Sequence, residues 1–319
     1  MAEKYLDFEK PIIEIEQKIN ELRTVSKKPD IDFSAEIKKL HKKANRLKNA
    51  TFKNLTGWQQ TLLARHPERP YTLDYVQHMT TDFVELEGDR RFGMGHSIVG
   101  GFARFEGETV MIIGHQKGRD LTERMNRNFG SSNPEGYRKA MRLIKLAEKF
   151  NKPVITLLDT PGAYPGMGAE ERGQSEAIAA NLFDLISVKV PIVVTLIGEG
   201  GSGGALALGV GDRIMMLEYS VYSVISPEGC AAILWDDCTM IEKAAETLRL
   251  TSKDILELGV IDEIVKEPIG GAHRDPVLAA SILRRAIRRH LNELRKIDPK
   301  EMVAQRKKKF RNMGVFEEY

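Results

Sequence analysis

The sequence predicts a mixed α/β protein carrying a helical N-terminal arm, and three patterns predict it. Over the first fifty-odd positions, apolar residues recur at helical spacing on otherwise polar stretches. From Thr56 onward, short apolar runs of strand length alternate with helix-period segments. Two of those runs end in glycine-rich turns, at residues 160–166 and 198–204.

In the arm, Ile12, Ile15, Ile19 and Leu22 fall 3, 4 and 3 apart, and Phe33, Ile37, Leu40, Ala44 and Leu47 fall 4, 3, 4 and 3 apart. Residues 26–30 between them read as a turn. Seams this narrow must pack on each other or on a second chain, so residues 1–55 are expected to form a helical hairpin that holds a partner. Residues 98–105 and 109–115, joined by Glu106, Gly107 and Glu108, read as a β-hairpin. A helix follows Pro134, with Tyr137, Met141, Ile144, Leu143, Ala147 and Phe150 on one face, and then a strand at 153–159.

A second cycle starts 38 residues on, counting from Pro153 to Pro191. It supplies a strand at 191–197, a short helix from Ser202, strands at 213–218 and 221–225, and a helix opened by Pro227. Repeated strand-then-helix units imply stacked sheets with helices outside and strand ends gathered on one side. Residues 56–283 are therefore expected to be the main domain, and 284–319 a basic C-terminal helix and tail.

Composition is that of a globular protein: 319 residues, 42% hydrophobic and 29% charged. No run approaches about 18 apolar residues, and the N-terminus lacks the apolar segment of a secretory signal, so a cytoplasmic location and no membrane association are expected. Two cysteines, Cys230 and Cys238, support neither a disulfide framework nor a four-ligand zinc site. His66, His115 and His273 sit in polar, loop-like contexts, and no His-x-x-x-His pair offers a catalytic metal site. From Arg284 to Arg311 twelve Lys or Arg face three acidic residues, Glu293, Asp298 and Glu301. A solvated basic face is the plain reading, with an acidic partner, a phosphate ligand or nucleic acid as alternatives.

Gly198 to Ala205 admits several readings. A phosphate-binding P-loop would need Lys and Ser or Thr after Gly203, where Gly204 and Ala205 stand. Gly198, Gly200 and Gly203 match a dinucleotide fingerprint, with Glu218 twenty residues beyond Gly198. That match is weak, because the helix must fit between Ser202 and Gly211, shorter than a parallel crossover usually allows. Two readings remain open. Gly203 and Gly204 at a helix start, with Ser202 as N-cap, would present bare N–H groups to an oxyanion. The glycines would equally serve close packing of helix on strand.

Longer motifs narrow the choice. They are Ile112-Ile-Gly-His-Gln-Lys-Gly-Arg119, Asn133-Pro-Glu-Gly-Tyr-Arg-Lys139, Asp159-Thr-Pro-Gly-Ala-Tyr-Pro-Gly166, Gly168-Ala-Glu-Glu-Arg-Gly-Gln-Ser175, Gly198 to Ala205 and Ser223-Val-Ile-Ser-Pro-Glu-Gly-Cys230. Together they resemble the carboxyltransferase alpha subunits of bacterial acetyl-CoA carboxylase, over nearly the whole chain. The resemblance implies a crotonase-type (ClpP/crotonase) superhelix of ββα units and an obligate complex with a beta subunit, commonly two of each. It implies transfer of a carboxyl group from carboxybiotin on a carrier protein to acetyl-CoA, forming malonyl-CoA for fatty-acid synthesis. The family's zinc belongs to the beta subunit, so no metal is expected on this chain, and ATP is used by the complex but not bound here.

By the same resemblance, Gly203 and Gly204 stabilise the biotin side of the reaction. Gly162, Ala163 and Tyr164 are expected as pocket wall, with Ser226 and Gly229 at the helix opened by Pro227; for Tyr164, packing under its own turn is an equal reading. Asp159 and Glu199 are expected to cap or to pair with Arg172, and Lys117 and Arg119 are candidates for the CoA phosphates or the partner chain. Two alternatives stand beside this: another crotonase-type acyl-CoA enzyme acting without a beta chain, and a noncatalytic scaffold binding nucleic acid through the basic end.

Overall fold

The computed structural model describes residues 5–26 and 33–314. Most of the turn expected at 26–30 and the tail beyond Gly314 lie outside the described residues. The strands are β1 (Thr81–Glu85), β2 (Ile98–Phe105), β3 (Glu108–His115), β4 (Val154–Thr160), β5 (Ile192–Gly201), β6 (Arg213–Leu217), β7 (Val221–Ser223) and β8 (Glu263–Val265). The arm comprises α1 (Lys10–Val25) and α2 (Ser34–Lys53). Helices α3 (Gly57–Ala64), α4 (Thr72–Met79), α5 (Leu121–Asn126), α6 (Pro134–Lys149), α7 (Met167–Glu171), α8 (Gln174–Leu185) and α9 (Ser202–Gly209) follow in chain order. The remainder are α10 (Pro227–Trp235), α11 (Ile241–Thr247), α12 (Ser252–Glu257), α13 (Pro276–Leu294) and α14 (Pro299–Arg311).

The strands join in the order β1-β2-β3-β4-β5-β6-β8. The β1–β2 and β2–β3 pairs are antiparallel and the rest parallel. The hairpin between β2 and β3 turns on Glu106 and Gly107, both at positive φ, the conformation that a tight turn between twisted strands favours. Instead of separate stacked sheets there is one sheet that forks at β5. Residues 193–196 of β5 pair with β6, and residues 199–201 pair with β7. The short α9 does connect parallel β5 to β6, so its length did not exclude a crossover.

Alternating strand residues feed two cores. Met111, Ile113, Val194 and Leu196 pack with Tyr137, Leu143 and Ile144 of α6, Leu185 of α8, and Ala205 and Leu208 of α9. On the opposite face, Ile112, Ile155, Val193 and Ile197 pack with Tyr75 and Val76 of α4 and with Leu283, Ile287 and Leu291 of α13. Each buried Val, Leu, Ile or Met side chain among them contributes roughly 1.5–3 kcal/mol. Phe150 departs from its expected face: it is the C-cap of α6 and 54% exposed.

The boundary expected at 283/284 falls inside α13, a continuous helix. The basic end is largely committed to partners. Arg284 and Arg288 meet Glu106, Arg289 meets Glu263, and Arg295 meets Glu108. Arg306, expected in a solvated charge run, is 1% exposed. It binds Asp212 through two nitrogens and donates to the carbonyls of Leu185, Val188 and Val190.

The arm packs on itself and on its own body. Ile12 and Phe52 bury against Leu63 and Tyr219, with Leu6, Phe8 and Leu47 around them. Buried Glu9 accepts the Leu6 N–H at 3.0 Å and lies 3.5 Å from His273 Nε2 and Arg274 Nε. Burial alone would raise the Glu9 carboxyl, but His273, the Leu6 N–H and Arg274 outweigh it and hold it below the usual range. Among the described residues no helix is long and apolar enough to cross a membrane.

Arg306→Ala leaves the Asp212 carboxylate buried without its cation, and urea denaturation is expected to show a loss of about 3–5 kcal/mol. Because the Glu9 pKa is depressed on folding, its stabilisation is present above the unfolded carboxyl value and is lost as pH falls through the folded one. The melting temperature of Glu9→Gln is accordingly expected to fall less steeply on acidification than that of the wild type.

Candidate active site

Three chain segments meet at the C-terminal edge of the sheet because their strands are neighbours there. Thr160 of β4 pairs with Gly200 of β5, and Gly200 pairs with Tyr222 of β7. The loop after β4, the turn after β5 and the segment after β7 therefore leave the sheet side by side.

At the centre is the turn into α9. Ser202 is not a cap: it lies in the first turn at φ +46°, Gly201 holds the N-cap position, and no side chain caps the helix. A left-handed serine costs roughly 1 kcal/mol. The first-turn N–H groups have no carbonyl partner within their own helix, so they form a concentration of unspent donors. Gly203 is half-buried, and a Cβ there would meet Ile178 at an ordinary 3.4 Å. Gly204 is buried, and a Cβ there would stand 2.7 Å from the Ala163 nitrogen and the Gly162 carbonyl carbon. Room for a side chain thus remains at Gly203, while Gly204 is needed for close packing of helix on loop.

Of the expected wall residues, Gly162 and Ala163 reach this tip, and the others are placed by contacts of their own. Gly162 and Ala163 pack directly on Gly204, and Ala163 bridges to Ser132. Tyr164 donates its N–H to the Ser132 carbonyl, folds its ring over Gly166, and remains 38% exposed. Ser226 caps α10, its Oγ accepting the Gly229 N–H at 3.1 Å. That bond spends the Gly229 donor inside the protein.

Behind the turn lies a layer of charge that sequence spacing did not pair correctly. Arg172 binds Glu135, not Asp159 or Glu199. Asp159 takes Lys117 at 2.7 Å, and Glu199 takes Arg65 at 2.6 Å, with Arg65 also reaching Glu228 in the first turn of α10. Burial alone would lower the Lys117 ammonium, but Asp159 and Glu199 outweigh it and raise it, so it stays charged. Arg119 stacks on the Tyr71 ring at 4.0 Å, donates to the Pro67 and Arg69 carbonyls and pairs with Asp74. Both candidate phosphate-binding cations are thus engaged by their own chain.

The histidines are less polar in setting than their flanks suggested. His115 is fully buried, and burial foremost pushes it down to about 4, so it is neutral at ordinary pH. His66 and His273 stack at 4.0 Å, and with Glu9 they form the one trio among the described residues whose ligand atoms lie within 4.8 Å of each other. Spacing concealed it because the three come from the arm, the α3–α4 loop and the segment before α13. His66 Nδ1 accepts the Glu68 N–H, which places the proton of its neutral ring on Nε2, and Arg274 stands beside Glu9. These contacts suit a latch for the arm better than an ion's ligand set.

Comparison with known proteins identifies the family and the fold. The family described as "Acetyl co-enzyme A carboxylase carboxyltransferase-like" matches residues 5–314. An acetyl-coenzyme A carboxylase carboxyl transferase subunit alpha from Geobacter metallireducens is 58% identical over 319 residues, covering 100% of both chains. The fold resembles that of transcarboxylase 12S, with TM-score 0.58 and 19% identity over 72% of this chain and 42% of that one. It also resembles a chain of a Pseudomonas malonate decarboxylase hetero-tetramer, with TM-score 0.59 and 15% identity over 74% and 91%. The fold is crotonase-type.

Gly203→Ala is expected to change stability by less than about 1 kcal/mol, since the site has room and alanine favours helix. Gly204→Ala is expected to cost about 1–3 kcal/mol, because its methyl meets backbone that cannot rotate away. Urea titration of both variants measures the difference.

Proposed function

The chain belongs to the acetyl-coenzyme A carboxylase carboxyltransferase family, and on that premise we propose that its bare helix tip is the biotin-side half of a carboxyl-transfer site. The chain acts as the alpha subunit of the carboxyltransferase that forms malonyl-CoA from acetyl-CoA, the first committed step of fatty-acid synthesis. Carboxybiotin on a carrier protein supplies the carboxyl group, and a zinc-containing beta subunit, two copies of each chain forming the complex, completes the site in the cytoplasm.

One observation carries this reading: the first turn of α9 has neither a capping side chain nor a Cβ at Gly203 or Gly204. Loss of the carboxyl group leaves negative charge on the ureido oxygen of biotin. Fixed N–H donors aimed at that oxygen stabilise the charge without reorganising, and removing one such donor typically costs about 10²–10³ in rate. Gly203 supplies the more open donor and Gly204 the second. Gly162, Ala163 and Tyr164 flank them, and Ser226 and Gly229 shape the neighbouring wall.

The competing acyl-CoA hydratase or hydrolase reading requires a positioned proton acceptor. Among the described residues behind the turn, His115 is sealed in the core, and Asp159 and Glu199 are tied to Lys117 and Arg65. The nucleic-acid reading loses its basis in the basic end, where Arg306 is buried and most other arginines meet carboxylates.

The isolated chain is expected to be inactive, and the chain assembled with its beta partner to decarboxylate malonyl-CoA when free biotin is added. Activity of the isolated chain would favour an enzyme complete in itself. In the assembled complex, Gly203→Val keeps the N–H but crowds the approach to it with a branched side chain, and is expected to lower turnover by up to about 10²–10³-fold, the cost of losing one donor; near-wild-type turnover would remove Gly203 from the donor pair.

A further inference from the structure

The β4–β5 ladder breaks just before the glycine turn. Leu158 pairs with Leu196, but the next pair is Thr160 with Gly200. While β4 advances two residues, β5 advances four, so β5 bulges at Ile197–Glu199 opposite Asp159. Bulges re-aim the chain that follows them and are concentrated next to functional sites. This one is also where the sheet forks, since β5 leaves β6 at Leu196 and takes up β7 from Glu199.

A bulge frees backbone groups that must find partners if buried. Here side chains take them. The Glu199 N–H donates to Asp159 Oδ1 at 3.0 Å, and the Ile197 carbonyl accepts from Arg69 Nε at 2.7 Å. Both side chains are enclosed, Asp159 at 1% exposed and Arg69 at 0%. Each has a counter-ion, Lys117 for Asp159 and Glu267 for Arg69. Gly198, in the middle of the bulge, has no room for a side chain, because a Cβ would stand 2.5 Å from Asp159 Oδ1.

We propose that Asp159, neutralised by Lys117, is a positioning residue: its carboxylate pins the β5 bulge through the Glu199 amide and so sets where Gly203 and Gly204 project. Asp159 touches no substrate in this scheme. Buried ion pairs are weak contributors to net stability, and fixing the geometry of the bulge is the role the proposal gives to this one. A turn displaced by one residue would carry the N–H donors away from the reacting oxygen. The inference rests on the carboxyl-transfer reading for its consequence, but the bulge itself is testable without any chemistry.

Two double variants, each assembled with the beta subunit, separate the hydrogen bond from the charge. Lys117→Met/Asp159→Asn retains an acceptor for the Glu199 amide, Lys117→Met/Asp159→Ala does not, and neither leaves a lone buried charge. In biotin-dependent malonyl-CoA decarboxylation, the Asn variant is expected within about fivefold of wild-type kcat/KM for biotin, and the Ala variant about 10²-fold below it, as for a misplaced catalytic group. The KM for malonyl-CoA is expected to be unchanged in both, which a general loss of structure would not give. Equal kcat/KM for the two doubles overturns the proposal.

Gly198→Ala provides an independent arm, pushing the carboxylate off the amide with every charge intact; wild-type turnover in that variant also overturns it. Hydrogen exchange reads the bulge directly. Amides across residues 198–204 are expected to exchange about tenfold faster in the Ala double than in the Asn double, and identical exchange refutes the pinning role. A wild-type complex with no biotin-dependent turnover would instead sink the functional reading, with the exchange result standing on its own.

Discussion

The structure turns on an approach of backbone to backbone. The loop after β4 lies so close to the first turn of α9 that position 204 has no space for a methyl group. Two strands can deliver their ends to one point only if the chain there carries almost no side chain. That contact sets the distance between the two glycine-rich turns and lets α9 begin directly against its neighbour. A helix that starts this way keeps its first donors free, because the residues that would ordinarily cap it are absent.

The charges behind this contact follow from it. Strand ends at the edge of a forked sheet carry backbone groups that the ladder no longer serves, and water cannot reach them. Arg69 and Asp159 take those groups, which requires Glu267 and Lys117 as counter-ions. Arg65 adds a further tie from the end of β5 to the first turn of α10. Replacing such pairs by apolar side chains would cost little stability in many proteins. Here they also satisfy specific amides and carbonyls, which an apolar side chain cannot do.

Periodicity and glycine placement made much of this legible in the sequence. The hairpin of β2 and β3, the helix at Pro134, the short helix at Ser202 and the helix at Pro227 all stand where alternation, proline and glycine put them. These are local effects, decided within a few residues. What sequence reading mispaired was long-range. Asp159 and Glu199 found Lys117 and Arg65, not Arg172, because strand order decides which ends meet and no spacing encodes that order. Arg306 was misread for the same reason: within its basic run nothing marks the one arginine that turns inward to Asp212. The trio of Glu9, His66 and His273 likewise joins three remote segments. The sheet's fork at β5 was hidden in a two-residue irregularity that apolar alternation passes over.

The allocation of cations bears on what the chain can bind. Around the turn, Lys117, Arg65 and Arg119 are each held by carboxylates or carbonyls of their own chain. Breaking such a buried or half-buried pair to meet a ligand would strand a carboxylate, at a cost of several kcal/mol when it is enclosed. The mouth therefore offers directed N–H groups in place of mobile positive charge. Donors of that kind suit an oxygen whose charge appears only during reaction, and they bind the permanently charged phosphates of CoA poorly by comparison with free guanidinium groups. On the carboxyl-transfer reading, this assigns the two substrates to different surfaces. The biotin oxygen would meet the helix tip of this chain, and recognition of the CoA phosphates would fall to groups outside the turn.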